Sequence, residues 1–303
     1  MIYVITFCDV NAQQLSQYTQ YMLNEYAVNQ AIAGSKEYAV LHGSIRSQWT
    51  GLAGSPKTSL LSFYGPSGKN KDNARVGLGA FLYNDVIGAT TRTNFLATYA
   101  YHLFLKKSPG NNIKLSLALS GGFTNYKIDI NKITIKDVGD PMILDLLESA
   151  VLPDANFAAY LYANNYYAGI SFNQLLRSKI KMTETISDIG NLMSHQYIYG
   201  GYKYQFNEQI LIEPSVILKR TSNLPLHADI NIRGEYQKKF WAGITYRTYD
   251  AIALLLGYIH NEQLYFGYSY DFTTSALRRY SFGSHEIVIG YRIYPKQYRP
   301  MDN

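Results

Sequence analysis

Three stretches of the 303-residue chain carry residue types whose spacing invites a chemical reading. Gly77-Leu78-Gly79 has the look of a phosphate-cradling glycine pair, but such a pair works at a turn that leads from a strand into a helix. The residues around it, RVGLGAFLYND, alternate like a strand, so these glycines are expected to serve packing and not a dinucleotide. His285-Glu286 opens the segment SHEIVIGYRIY without HExxH spacing and without a second ligand nearby. Asp137, Asp140 and Asp145 offer carboxylates to a Ca²⁺ ion from one long loop, yet the spacing of an EF-hand loop is absent. The six histidines are scattered, and no Ser/His or Asp/His set forms along the chain. No catalytic, cofactor-binding or metal-binding residue is therefore expected, no cofactor is implied, and the chain reads as no enzyme.

The net charge of +6 raises nucleic acid as a partner. The basic residues gather instead in turns and loops, as at Lys69-Asn70-Lys71, Lys106-Lys107, Lys238-Lys239 and Arg278-Arg279. There they are either plain solvated charge or counterions to phosphates on a membrane surface, and no nucleic acid is expected. Cys8 is the one cysteine, so no disulfide framework exists.

The elements that must position these residues are strands. In PLHADINIRGE, Leu226, Ala228, Ile230 and Ile232 fall on one face, and His227, Asp229, Asn231, Arg233 and Glu235 on the other. EQLYFGYSYDF sets Leu264, Phe266, Tyr268, Tyr270 and Phe272 against Tyr265, Gly267, Ser269 and Asp271. SHEIVIGYRIY sets Ile287, Ile289, Tyr291 and Ile293 against Glu286, Val288, Gly290 and Arg292. Side chains on a strand alternate between faces, so each segment has one apolar side and one polar or small side. About fourteen such segments are expected, with twelve as the runner-up: 38–49, 57–65, 74–84, 92–104, 112–125, 155–163, 166–176, 194–206, 209–219, 225–236, 239–249, 251–259, 262–272 and 284–294.

Their lengths exceed the ~5–6 residues usual in soluble sheets and match the ~9–11 of a tilted strand that crosses a bilayer. The longest apolar run, Ala251 to Ile259, falls well short of the ~20 residues a membrane helix needs. Composition agrees: 29 Tyr, 13 Phe and 2 Trp against only 17% charged residues suit a surface between water and hydrocarbon. Connections alternate long and short from the fifth strand on, as in outer-membrane barrels with long outer loops and tight periplasmic turns. Asn164-Asn165 fits a type I′ hairpin turn. Ile143, Leu146, Leu147 and Ala150 have the spacing of a short amphipathic helix, with ordinary loop packing as the other reading.

The fold class expected is all-β: a closed antiparallel transmembrane β-barrel, because backbone polar groups in hydrocarbon leave no open edge. The apolar faces then meet lipid. Glu213, His227, Asp229, Arg233, Arg247, Asp271, Glu286 and Arg292 then face the lumen, either neutralising one another or lining a path for a ligand. Residues 1–12 resemble a signal peptide without its basic start. Residues 13–35 form a polar N-terminal segment, 36–294 the barrel and 295–303 a tail. Within the N-terminal segment, Gln17, Tyr18, Tyr21, Met22, Asn24 and Asn29 are the candidates for a plug inside the barrel or a periplasmic contact surface.

Several stretches carry a resemblance. SQYTQYMLNEYAVNQAIAGS, IRSQWTGLAGSPKTSLLSFYGP and VGLGAFLYNDVIGATTRTNFLATYAYHL, followed by PDANFAAYLYANNYYAGISF, GYSYDFTTSAL and GSHEIVIGYRIY, resemble the PorP/SprF family of type IX secretion and gliding-motility membrane proteins. The likeness runs from about residue 14 to 294, with Glu25 and Gln30 where relatives often carry proline. It implies an outer-membrane barrel of Bacteroidetes-type bacteria that assists export, assembly or surface anchoring of a secreted protein such as an adhesin used in gliding. The partners it implies are a secreted cargo or adhesin C-terminal domain, periplasmic or peptidoglycan-binding secretion components, and outer-membrane lipid and lipopolysaccharide. The alternative is an outer-membrane channel or solute transporter.

Overall fold

The structure, a computed structural model, describes residues 17–71, 74–106, 112–133, 149–180, 190–221 and 225–295. The signal-like residues 1–12, Cys8, the three loop aspartates and the tail beyond residue 295 lie outside that set. After a helical turn α1 (Glu25–Val28) the chain is almost wholly strand. The first five strands are β1 (Ala39–Ser47), β2 (Lys57–Lys71), β3 (Ala74–Ile87), β4 (Thr90–Lys106) and β5 (Ile113–Ile128). Next come β6 (Ser149–Tyr162), β7 (Tyr166–Asn173), the two-residue pair β8 (Lys179–Ile180) and β9 (Gly190–Asn191), β10 (His195–Tyr202) and the two-residue β11 (Tyr204–Gln205). The last six are β12 (Ile210–Thr221), β13 (His227–Tyr236), β14 (Phe240–Arg247), β15 (Ala251–His260), β16 (Leu264–Thr273) and β17 (Ser284–Ile293).

Every long strand pairs antiparallel with its neighbours in sequence. β1 pairs with β17, and β10, with β8 and β9 set apart as a hairpin, bridges β7 to β12. β11 only lengthens the edge of β12, so fourteen strands close the cylinder. Closure leaves no row of unpaired N–H and C=O groups, which is the condition for β structure in hydrocarbon. Each of the fourteen expected segments finds its strand. The sixth begins earlier than expected, at Ser149, so Ala150 belongs to β6 and not to a helix; Ile143, Leu146 and Leu147 lie outside the described residues.

The exposure pattern is inverted relative to a soluble protein. Leu119 and Ile45 are each 66% exposed, and Leu254, Ile230, Phe272 and Ile287 also point outward. The alternate residues of the same strands, such as Ser116, Ser120, Asn231, Asp271 and Glu286, are buried inside. An apolar surface that wraps a whole molecule is solvated by lipid, since in water it would drive aggregation. Exposed aromatic side chains such as Tyr202, Tyr236, Phe240 and Tyr258 gather near one rim, Tyr246 and Tyr249 near the other; amphipathic rings favour these interfaces.

Ala39 and Ile293 lie at one end, called here the terminal end. The strand ends joined by the long connections, Ser47 and Lys57, Ile128 and Ser149, Asn173 and His195, and Thr273 and Ser284, lie at the opposite, distal end. Tight hairpins at the terminal end carry the left-handed residue pairs Gln237-Lys238 (φ 51° and 54°) and Asn261-Glu262 (φ 48° and 56°), as type I′ turns demand. Asn164-Asn165 also links two strands closely, but neither residue has positive φ, so the type I′ turn expected there is replaced by one built on ordinary backbone angles. The β14–β15 joint at 248–250 is tight despite its distal position.

A charge on the outer face should be costly. Leu119→Arg, in mid-strand, should lower folding stability in lipid vesicles by about 2–4 kcal/mol, whereas Tyr249→Arg at the rim should cost about 0–1 kcal/mol. A urea titration followed by the heat-modifiable gel shift of the barrel reads the difference.

A candidate functional site in the filled lumen

The polar inner wall is not left to face open water. Residues Gln17 to Ser35 run inside the cylinder from its distal half toward the terminal end, where the chain turns into β1. Thr19, Tyr26, Asn29, Ala31 and Ala33 have no exposed surface at all. The segment has no long regular element. A stretch rich in Asn, Gln and Tyr instead offers many side-chain donors and acceptors, and the wall answers them.

Asn29 shows how one amide serves two purposes. Its Oδ1 accepts from the Ala31 N–H at 2.9 Å and starts a 3₁₀ turn, Gln30–Ile32, while its Nδ2 donates to the carbonyls of Ala159 (2.9 Å) and Ile170 (3.2 Å). The hydroxyl of Ser171 donates to the Val28 carbonyl at 2.6 Å. Tyr26 stacks on Tyr64 with ring centroids 4.6 Å apart, and its hydroxyl donates to Thr98 Oγ1 at 2.7 Å. Burial pushes the phenols of Tyr26 and Tyr21 well above the usual range, so both stay protonated and able to donate. His102 Nε2 donates to the Ala33 carbonyl at 2.7 Å, which leaves Nδ1 to accept from the Tyr162 hydroxyl at 2.9 Å.

The Gly77-Leu78-Gly79 pattern acquires its reason here. A Cβ on Gly77 would run into the Ala33 carbonyl, and one on Gly79 would sit 2.6 Å from the Tyr26 hydroxyl. The two glycines thin the wall where the segment passes. Gly34, at φ +84°, makes the matching bend.

At the distal half a buried ion network holds the start of the segment. Arg46 reaches Asp271 at 2.7 Å and Glu286 at 3.3 Å. Arg247 reaches Asp229 (3.3 Å), Asp250 (3.2 Å) and Asp271 (3.1 Å), and Lys219 pairs with Asp229 at 2.7 Å. Thr19 sits among them. Its Oγ1 donates to Asp271 and accepts from Arg46 (2.7 Å) and Arg247 (3.1 Å), while its backbone N–H donates to Glu286 at 2.8 Å. Arg247 also donates to Gln17 Oε1 at 3.3 Å. Opposite charges at these distances, with Thr19 adding hydrogen bonds to Asp271, Arg46 and Arg247, offset much of the desolvation that burial imposes.

A second group lies nearer the terminal end. Glu213 pairs with Arg233 at 2.6 Å and accepts from the Tyr167 hydroxyl at 2.9 Å. Next to it Tyr21 and Ser215 share a hydrogen bond of 2.9 Å. Arg75 ties Glu37 (2.7 Å) and the Lys36 carbonyl (2.6 Å), and fixes the exit of the segment into β1.

Of the lumen candidates, Glu213, Asp229, Arg247, Asp271 and Glu286 are buried on the inner wall, and Arg233 is nearly so. They form these two groups and not one. His227 stands apart at the distal rim beside Tyr249, and Arg292 lies half-buried at the other end, over the rings of Tyr38 and Tyr265. Of the segment candidates, Tyr21, Met22, Asn24 and Asn29 are buried, while Gln17 and Tyr18 are half-buried. Arg46, Arg75, His102 and Thr19 were not among the candidates. The first three stand in the same alternation, as in His42-Gly43-Ser44-Ile45-Arg46, so the period-two signal could have found them. Thr19 has no such signal. Among the described residues no group of three or more His, Cys, Asp or Glu is placed to hold a metal.

A family model described as type IX secretion system membrane protein PorP/SprF matches residues 10–291. No curated protein matches the chain in sequence. Among solved structures, the CymD monoaromatic hydrocarbon channel is similar with a TM-score of 0.52 at 11% identity, over 93% of this chain and 94% of that one. The toluene transporter TbuX of Ralstonia pickettii is similar with a TM-score of 0.49 at 10% identity, over 88% of this chain and 92% of that one. At such identities the likeness is one of fold alone.

Two experiments probe the seating of the segment. Removing one partner of the buried network, by Asp271→Ala, should cost about 3–5 kcal/mol because Arg46 and Arg247 are left underpaired. Asp271→Ala combined with Arg247→Ala should then cost clearly less than the sum of the two single changes in urea unfolding. Gly77→Leu should leave a folded barrel, seen as heat-modifiable mobility, yet expose Lys36 to trypsin.

Proposed function

The chain belongs to the type IX secretion system membrane protein PorP/SprF family, and on that premise we propose that this outer-membrane barrel is a non-enzymatic assistant in export, assembly or surface anchoring of a secreted protein such as an adhesin. The observation that carries the reading is the filled lumen. A pore for diffusing solutes needs an open path, and here the chain's own residues 17–35 occupy the cylinder and bond to its wall on several sides. What remains for function is the two ends. The distal end carries the long connections, and such loops accept folded domains or an added strand by main-chain hydrogen bonds. Arg278 and Arg279 are exposed in the 274–283 connection and suit the phosphates of lipopolysaccharide. The terminal end, with the start of β1, the end of β17 and the tight turns, suits a periplasmic or peptidoglycan-binding component of the secretion machinery.

Two measurements test this. Purified protein in planar bilayers should pass no steady current, and affinity purification from detergent extracts of the native host should retain a secreted surface protein or a peptidoglycan-binding component. Large steady currents with neither protein retained would sink the proposal in favour of a channel.

A further inference from the structure

Between the N-terminal segment and the wall of β3, β4, β6, β7 and β10 lies a cavity of about 20 Å³, bordered by Gln30, Asn94, Asp154, Asn173 and Gln174. That is room for about one water molecule. All five residues are more than nine-tenths buried. Each carries a buried oxygen that receives no hydrogen bond among the described residues: Gln30 Oε1, Asn94 Oδ1, Asp154 Oδ1, Asn173 Oδ1 and Gln174 Oε1. Against these five acceptors stand two unused donors at the same cavity, Gln174 Nε2 and the Tyr83 hydroxyl. One water donates two hydrogens, so even with both donors engaged water leaves an acceptor over.

Asp154 adds a charge. Its Oδ2 accepts from Asn94 at 2.8 Å and from Thr124 at 3.3 Å, both neutral, and it makes no ion pair among the described residues. The cation nearby, Arg92, stands opposite a second carboxylate, Asp85, in register, stacks over the Tyr83 ring 5.4 Å from its centroid, and makes no ion pair with Asp154 among the described residues. One cation facing two buried carboxylates leaves a negative charge uncompensated, which is costly. One carboxylate with four amide oxygens is the donor set of a hard cation, and a single positive charge balances it.

We propose that this cavity binds one sodium ion, held by the oxygens of Gln30, Asn94, Asp154, Asn173 and Gln174. Gln30 belongs to the segment, Asn94, Asp154 and Asn173 to wall strands and Gln174 to the connection that follows β7, so the ion would tie the segment to the barrel independently of the Arg46–Arg247 network. Asp154 supplies the charge and the four amides supply dipoles that need no proton.

Thermal unfolding of the full chain in detergent tests it, with sodium chloride compared with choline chloride at equal ionic strength. Sodium should raise the midpoint by a few degrees, and titration calorimetry with sodium chloride should give a saturable signal. Asp154→Asn should abolish both effects. Gln174→Ala, which keeps the carboxylate, should weaken the calorimetric affinity several-fold and so serves if the first variant folds poorly. Equal midpoints in the two salts, a gain with calcium chloride but none with sodium, or a sodium effect that survives in Asp154→Asn would each overturn the assignment. None of these readouts depends on secretion, so the ion site stands or falls apart from the proposed function.

Discussion

Hydrocarbon offers nothing to an unpaired backbone N–H or C=O, and the rest of this structure descends from that. A sheet placed there must close, which β1 and β17 accomplish, and its outer face must be apolar. The outer residues of β13, β16 and β17 are therefore mostly Ile, Leu, Phe and Tyr, while their inner neighbours are free to be charged. The cylinder turns the usual protein inside out: oil surrounds it, and its polar groups are enclosed.

Enclosure creates a second demand. Fourteen strands bring Arg46, Lys219, Asp229, Arg233, Arg247, Asp271 and Glu286 into a confined space, where each needs a partner of opposite sign or a hydrogen-bond donor. Cross-strand pairs supply much of this, since residues such as Asp229 and Arg247 stand opposite one another in register. The rest comes from the chain itself. A run of Asn, Gln, Tyr and Thr brings amides, phenols and a hydroxyl to the places where the wall has carboxylates, guanidinium groups and free carbonyls. The lumen is thus a mixed core, in which ion pairs and hydrogen bonds share the role that apolar packing has in a soluble domain. The segment's Tyr26, Val28 and Ile32 also belong to one buried apolar cluster with wall residues such as Tyr64, Phe81, Leu96 and Leu255.

This arrangement also shapes what the protein can do. On the proposed function, an interior bonded through on several sides moves partner binding to the ends of the cylinder. The long distal connections and the compact terminal end then face different compartments.

Much of this was open to reading from the residues alone. Each face of Ile287-Val288-Ile289-Gly290 and of its counterparts is declared by period-two alternation, which is a local property, so strands, faces and closure were legible. The type IX secretion family was legible too, because its motifs follow in order along the chain. Turn geometry was not: Asn164-Asn165 looked left-handed and is not, while Gln237-Lys238 is, since hairpin twist and register choose the angles more firmly than residue type. The meeting of Thr19 with Asp271 and of Gly77 with Ala33, and the placing of Gln30 and Asp154 at one cavity, were not legible at all. Alternation says which side a residue faces but carries nothing about what stands across a lumen, because those partners are brought together only when distant strands close around a threaded segment.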